Sequence, residues 1–87
     1  MSDGRLVRVR IDISDEPGML AAISYSIGQC GGNIVEIYHQ RMFFDVTAKL
    51  AKIDVVIDTH GATHAEEIVN ALRHRGFSVA LMDEHST

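Results

Sequence analysis

The sequence predicts an α+β sandwich of order βαββαβ, with a four-stranded antiparallel sheet carrying two helices on one face. Three observations predict it. Four segments carry apolar residues at the period of a strand, two segments between them repeat apolar residues at helical spacing, and each helical segment ends in glycine. At 87 residues, 46% of them apolar, the chain has the length of one domain with one core. A domain this short buries only about 60–65% of the surface its unfolded chain exposes, so a partner or a parent protein is expected.

Residues 6–13 read as a half-buried strand, with Val7, Val9, Ile11 and Ile13 on one face and Arg8, Arg10 and Asp12 on the other. A helix follows from about Pro17 to Cys30, where Leu20, Ile23, Ile27 and Cys30 step by three, four and three. Pro17 is expected at the first helical position, because its fixed φ suits the helix and its missing N–H costs nothing there. Asp15 is available as a cap. Gly31 and Gly32 end the helix, and Asn33 opens a second strand running to about Arg41. Ile34 breaks the parity of Val35 and Ile37, which predicts a bulge or a strand covered on both faces.

Residues 50–58 form the third strand, with Ile53, Val55 and Ile57 as its better face. Thr63-x-x-Glu66 reads as a capping box opening the second helix. Ala65, Ile68 and Leu72 line one side of it, Arg73 and Arg75 sit in its last turn, and Gly76 stops it. Phe77, Val79 and Leu81 alternate as the fourth strand. Two right-handed crossovers on one side of four strands give the split-βαβ, ferredoxin-like sandwich. Nothing divides residues 1–87, and residues 1–4 and 84–87 are expected to be flexible ends.

A fold does not decide a function. The net charge of −4 argues against a nucleic-acid or anionic-membrane surface. No apolar run approaches the roughly 18 residues of a membrane span, and no signal peptide opens the chain. The single cysteine, Cys30, cannot form an internal disulfide or a metal cluster, so a cytoplasmic location is expected. Its place on the apolar stripe makes it a packing residue. A copper carrier would need Cys-x-x-Cys where this chain has Asp15-Glu16-Pro17-Gly18, and an acylphosphatase would need an arginine there. An RNA reader would need exposed aromatics beside basic residues on the central strands, which Tyr25, Tyr38, Phe43, Phe44 and Phe77 do not supply.

His39, His60, His64, His74 and His85 have no ligand spacing, and the expected helix start between His60 and His64 keeps those two off one helical face. No metal is expected. Ser24, Ser26 and Thr47 have no identifiable base, so no catalytic residue is assigned. Glu66, Glu67, Arg73 and Arg75 are expected on a solvated face. Met42-Phe43-Phe44 reads equally as core or as a patch docking a catalytic domain.

Two patterns remain, one at each end of the first helix: Asp15-x-Pro17-Gly18-x-Leu20 and Gly31-x-Asn33-Ile34. An amino-acid zwitterion needs donors for its carboxylate and acceptors for its ammonium. The backbone N–H groups of Gly18, Met19 and Leu20 point out of a helix N-terminus, where the macrodipole favours an anion. Gly18 admits a ligand close to the backbone, Asp15 accepts from an ammonium, and the Asn33 amide does both.

Together these patterns resemble the ACT domain, a small regulatory module that binds amino acids, and the resemblance covers nearly the whole chain. His39-Gln40-Arg41, Asp58-Thr59-His60-Gly61 and Thr63-His64-Ala65-Glu66 are similar to the ACT segment of threonine dehydratases of the catabolic type. The resemblance implies a ligand site of Asp15, Pro17, Gly18, Met19, Leu20, Asn33 and Ile34. It also implies a homodimer through the second strand and first helix, with second strands edge to edge in an eight-stranded sheet. Isoleucine, valine or threonine would suit Met19 and Ile34. A threonine dehydratase catalytic domain would lie in cis and hold pyridoxal phosphate. No cofactor is expected in this chain, whose Lys49 and Lys52 stand in no cofactor motif. A ligand-free dimerisation module of the same fold is the alternative.

Overall fold

Alternation in the first segment becomes a ten-residue strand, β1 (Arg5–Ser14), whose Val7, Val9, Ile11 and Ile13 are all buried. It is followed by α1 (Met19–Gln29), β2 (Asn33–Gln40), β3 (Leu50–Thr59), α2 (Ala62–His74) and β4 (Ser78–Met82). The computed structural model describes residues 5–14, 16–40 and 50–82. Met42, Phe43, Phe44 and the two chain ends, residues 1–4 and 84–87, lie outside them.

The sheet order is β2-β3-β1-β4, and every neighbouring pair is antiparallel. The central strands β1 and β3 pair over their whole length, from Arg5↔Thr59 to Ser14↔Leu50. β4 flanks β1 from Arg8↔Met82 to Asp12↔Ser78, and β2 forms the opposite edge. This is the ferredoxin-like βαββαβ arrangement that the order of elements predicts.

One face of the sheet is covered by the helices. Ile53, Val55 and Ile57 meet the inward residues of β1, and Ile23, Ile27, Ala65, Ile68, Val69 and Leu72 close over them. Burying each of the larger side chains contributes roughly 1.5–3 kcal/mol. α1 lies against β2, α2 lies against β4, and the helices pack side by side. The charged side chains Glu66, Glu67, Arg73 and Arg75 are exposed.

Both helices close in the same way. Gly31, at φ +83°, donates its N–H to Gly28, and Gly32 donates to Ile27, the two bonds of a Schellman ending. Gly76, at φ +97°, repeats this with Arg73, and Phe77 donates to Leu72. Glycine is required at these two positions because a β-carbon makes a positive φ costly.

The helix starts differ from the sequence expectation. α1 begins at Met19, and Gly18 stands at its N-cap with φ +88°. Pro17 is therefore in the turn, not at the first helical position, because a left-handed residue must separate the turn from the helix. α2 begins at Ala62 after Gly61, and no side-chain cap bond closes it. Thr63 lies inside the first turn, so the expected capping box does not form. The amides before the helix are taken instead by other groups: Gly61 N–H donates to Thr59 Oγ1 at 3.3 Å and His60 N–H donates to His64 Nδ1 at 2.8 Å.

In β2 the parity break resolves as a bulge. Ile34 pairs with Ile57 and Glu36 with Val56, leaving Val35 unpaired and about half exposed. Ile34 and Ile37 both pack on the core as a result. The stripe of α1 holds Ile23 and Ile27 fully buried, with Leu20 and Cys30 partly buried beside them. Ser26 is buried as well, its hydroxyl donating to the Ala22 carbonyl at 2.9 Å. Leu81 shares a face with Val79 but remains 46% exposed, at the edge of the sheet.

Candidate functional site

The first half of the candidate site is the turn after β1 and the start of α1. Asp15 lies outside the described residues. Pro17 and Gly18 are exposed, and nothing stands within 4 Å of where a β-carbon on Gly18 would be. Among the described residues no side chain caps α1. Ala22 N–H is the first to bond back into the helix, to the Gly18 carbonyl at 3.0 Å. The amides of Met19 and Leu20 thus face outward at the positive end of the dipole. The side chains of Met19 and Leu20 are half-buried against the core.

The second half is the corner after α1. Asn33 is exposed at the start of β2 and pairs with Asp58, while Ile34 is partly buried on the core. Asp58 also pairs with Leu6, so Asn33 is level with the beginning of β1. The turn at residues 16–18 follows the end of β1, eight residues along the strand. At about 3.4 Å per residue the separation is roughly 27 Å. Within one chain the predicted site residues therefore fall into two groups that cannot touch the same small molecule.

Sequence reasoning missed a charged cluster on the uncovered sheet face. Asp54 is 1% exposed although its parity points it away from the helices. Arg10 donates to it twice, Nε to Oδ1 at 2.7 Å and Nη2 to Oδ2 at 2.9 Å. The Arg8 Nε lies 3.3 Å from Oδ2, and the Arg8 guanidinium covers the Tyr38 ring at 4.9 Å. The Arg10 hydrogen bond, and then the charges of Arg10 and Arg8, hold the Asp54 carboxyl below the ordinary carboxylate range against the opposing effect of burial. The available signal was an aspartate within an Ile-Val run, opposite two arginines spaced by two.

The histidines also differ from expectation. His60 and His64 do not share a helical face, yet their rings stack with centroids 4.8 Å apart. Both ring nitrogens of His64 are engaged, Nδ1 with the His60 amide and Nε2 with the Cys30 carbonyl at 2.6 Å. Among the described residues no group of three or more His, Cys, Asp or Glu is placed to hold a metal. Nor is any described helix long and apolar enough to cross a membrane.

No family model matches the chain. Over 82 residues, 94% of its length, it is 28% identical to L-threonine ammonia-lyase of Thermotoga maritima, and over 79 residues 25% identical to that of Geobacter sulfurreducens. The chain spans only 20% of the length of each. Among solved structures it superposes on the ACT domain from GTP pyrophosphokinase of Chlorobium tepidum with a TM-score of 0.68, at 20% identity, covering 91% of this chain and 99% of that one. The regulatory subunit of aspartate kinase from Thermus thermophilus matches with the same TM-score at 16% identity, over 97% of this chain and 54% of that one. The fold is that of an ACT domain. In sequence the chain resembles L-threonine ammonia-lyase, also called threonine dehydratase.

Proposed function

We propose that the chain is an amino-acid-binding regulatory module that acts as a two-fold pair, each of whose sites is assembled from both copies. One observation carries this reading: the two halves of the zwitterion site lie at opposite ends of the sheet, and β2 is an edge strand. Antiparallel pairing of β2 with a second β2 sets Asn33 of one copy at the sheet end where the other has its 16–18 turn. α1 lies on the β2 side, so its N-terminus comes to the same place. The outward face of α1 carries the exposed small residues Ala21, Ser24 and Gly28, which let a second α1 approach closely.

In this arrangement the carboxylate meets the Met19 and Leu20 amides, the ammonium meets Asp15, and Asn33 of the other copy closes the site. Isoleucine, valine and threonine are the proposed ligands, with Met19 and Ile34 against the side chain. A ligand held by both copies stabilises one pairing over another, and about 1–3 kcal/mol of coupling is the usual scale. The similarity to threonine ammonia-lyase supports a catalytic domain in cis, which would hold the pyridoxal phosphate. In this reading the chain senses the amino acid and the chemistry belongs to the catalytic domain in cis. A cytoplasmic setting suits such a role.

Calorimetry of the 87-residue chain with L-isoleucine, L-valine and L-threonine tests the reading. Saturable binding of one of them is expected, with a stability gain of about 2.7 kcal/mol at a hundred times its Kd. That corresponds to a rise in Tm of about 10 °C or more. Asn33→Ala should remove the gain while leaving the free chain's Tm unchanged. Binding that survives Asn33→Ala would refute the site, and no binding at all would favour the second reading, a ligand-free dimerisation module. One observation favours that alternative: Met19, Leu20 and Ile34 are already packed on the core.

A further inference from the structure

The imidazole of His64 joins three backbone segments that are distant in sequence. Its own Cα is in the first turn of α2. Its Nδ1 lies 2.8 Å from the amide nitrogen of His60, which leaves β3, and its Nε2 lies 2.6 Å from the carbonyl oxygen of Cys30, the C-cap of α1. These contacts determine the protonation of the ring. A backbone amide only donates, so Nδ1 carries a lone pair, and a carbonyl only accepts, so Nε2 carries the proton. Both bonds exist together only in the neutral Nε2–H tautomer.

Cys30 leads directly through Gly31 and Gly32 to Asn33. The ring is seated against that corner, 3.7 Å from where a β-carbon on Gly31 would stand. We propose that neutral His64 is the positioning residue for Asn33, clasping the corner of residues 30–33 to the start of α2 and releasing it when the ring gains a second proton. The part that concerns ligand affinity rests on the amino-acid reading above; the clasp itself does not.

A second proton would enter at Nδ1 and face the His60 N–H, donor against donor, so the ring could not keep both partners. The surroundings reinforce the effect. His60 is stacked on the ring from the end of β3, where a charge on either imidazole opposes a charge on the other. The N-terminus of α2 opposes a cation. A shallow cavity lined by His60, Gly61, Ala62, Thr63 and His64 also takes in Glu67, the acidic residue one turn along α2, and the Cys30 thiol belongs to the residue that accepts from Nε2.

Two substitutions separate the bonds. Gln places an amide nitrogen near the position of Nε2 and preserves the bond to Cys30, whereas Asn places its oxygen near Nδ1 and preserves only the bond to His60. The experiment follows backbone amide and imidazole nitrogen resonances of the 87-residue chain between pH 7.5 and 5.5, in wild type, His64→Gln and His64→Asn. Titrations with L-isoleucine, L-valine and L-threonine are run at both pH values.

In wild type the imidazole should show the neutral Nε2–H pattern at pH 7.5. The amides of residues 31–34 should shift together with it on acidification and stay flat in His64→Gln. Affinity for the amino acid that binds should fall about fivefold in acid, the worth of one ordinary hydrogen bond. His64→Gln should keep its affinity at both pH values, and His64→Asn should lose about fivefold at pH 7.5. An Nδ1–H pattern, or corner amides that ignore the imidazole titration, would overturn the clasp. Equal wild-type affinity at both pH values would overturn the positioning role and leave amino-acid binding standing. If none of the three amino acids binds, the ligand reading falls, and the resonances alone decide the clasp.

Discussion

Asp54 lies on the uncovered side of the sheet, yet Arg8 and Arg10 fold over it so completely that only 1% of it is exposed. Asp54→Ala leaves two neighbouring guanidinium groups without their carboxylate, and a loss of about 2 kcal/mol is expected in urea unfolding at pH 7. The pH dependence has a definite sign. The folded carboxyl titrates below its unfolded value, so its stabilisation is complete above the unfolded value of about 3.9. It is lost as pH falls through the lower folded value, and the gap between wild type and Asp54→Asn should close there. Gly32 offers a packing test, since a β-carbon there would stand 2.8 Å from Ile68 Cδ1, 2.9 Å from Ile27 Cγ2 and 3.0 Å from Ile57 Cγ2. Gly32→Ala should cost about 1–3 kcal/mol in the same assay, by overpacking. At this scale the apolar faces of β1 and β3 were legible because burial follows parity. Asp54 was not, because its burial is produced by side chains from a neighbouring strand, forty-odd residues away in sequence.

The elements were legible in type and order, and less so at their starts. Both helix ends were readable from Gly31 and Gly76, since few residues besides glycine tolerate the left-handed step that closes a helix. Both starts were misplaced, because Pro17 and Thr63 are good first-turn residues whose register depends on the glycine before the helix. β2 is the element on which the proposed pairing depends. Val35 is unpaired at its bulge and about half exposed. A charge on that edge discourages strand addition, so Val35→Lys should convert a dimer into a monomer in sedimentation velocity. The core register of Ile34 and Ile37 should survive, leaving the circular dichroism of the folded chain unchanged.

For the molecule as a whole, a paired domain gains stability by mass action, and the Tm of the wild-type chain should rise with protein concentration while that of Val35→Lys does not. The fold follows from the pattern of one chain and was readable on that account. From spacing alone the candidate site was readable only as two halves, because no spacing within one sequence states a contact between copies; their meeting came from the ACT resemblance and stands as a proposal. The repeated glycine framework has a further consequence. Gly18 and Gly61 each precede a helix, Gly31 and Gly76 each close one, and Asn33 and Ser78 each begin the strand that follows. The sheet order is unchanged when the first βαβ unit is exchanged for the second, so the domain is an internal pseudo-dimer. Its halves have diverged at equivalent corners. A β-carbon would meet nothing at either Gly18 or Gly61, but the turn before α2 is lined by the stacked imidazoles of His60 and His64. Under the amino-acid reading the corner at Gly18 receives the ligand, while its counterpart before α2 carries His60 and His64, which tie it to the end of α1 through the Cys30 carbonyl.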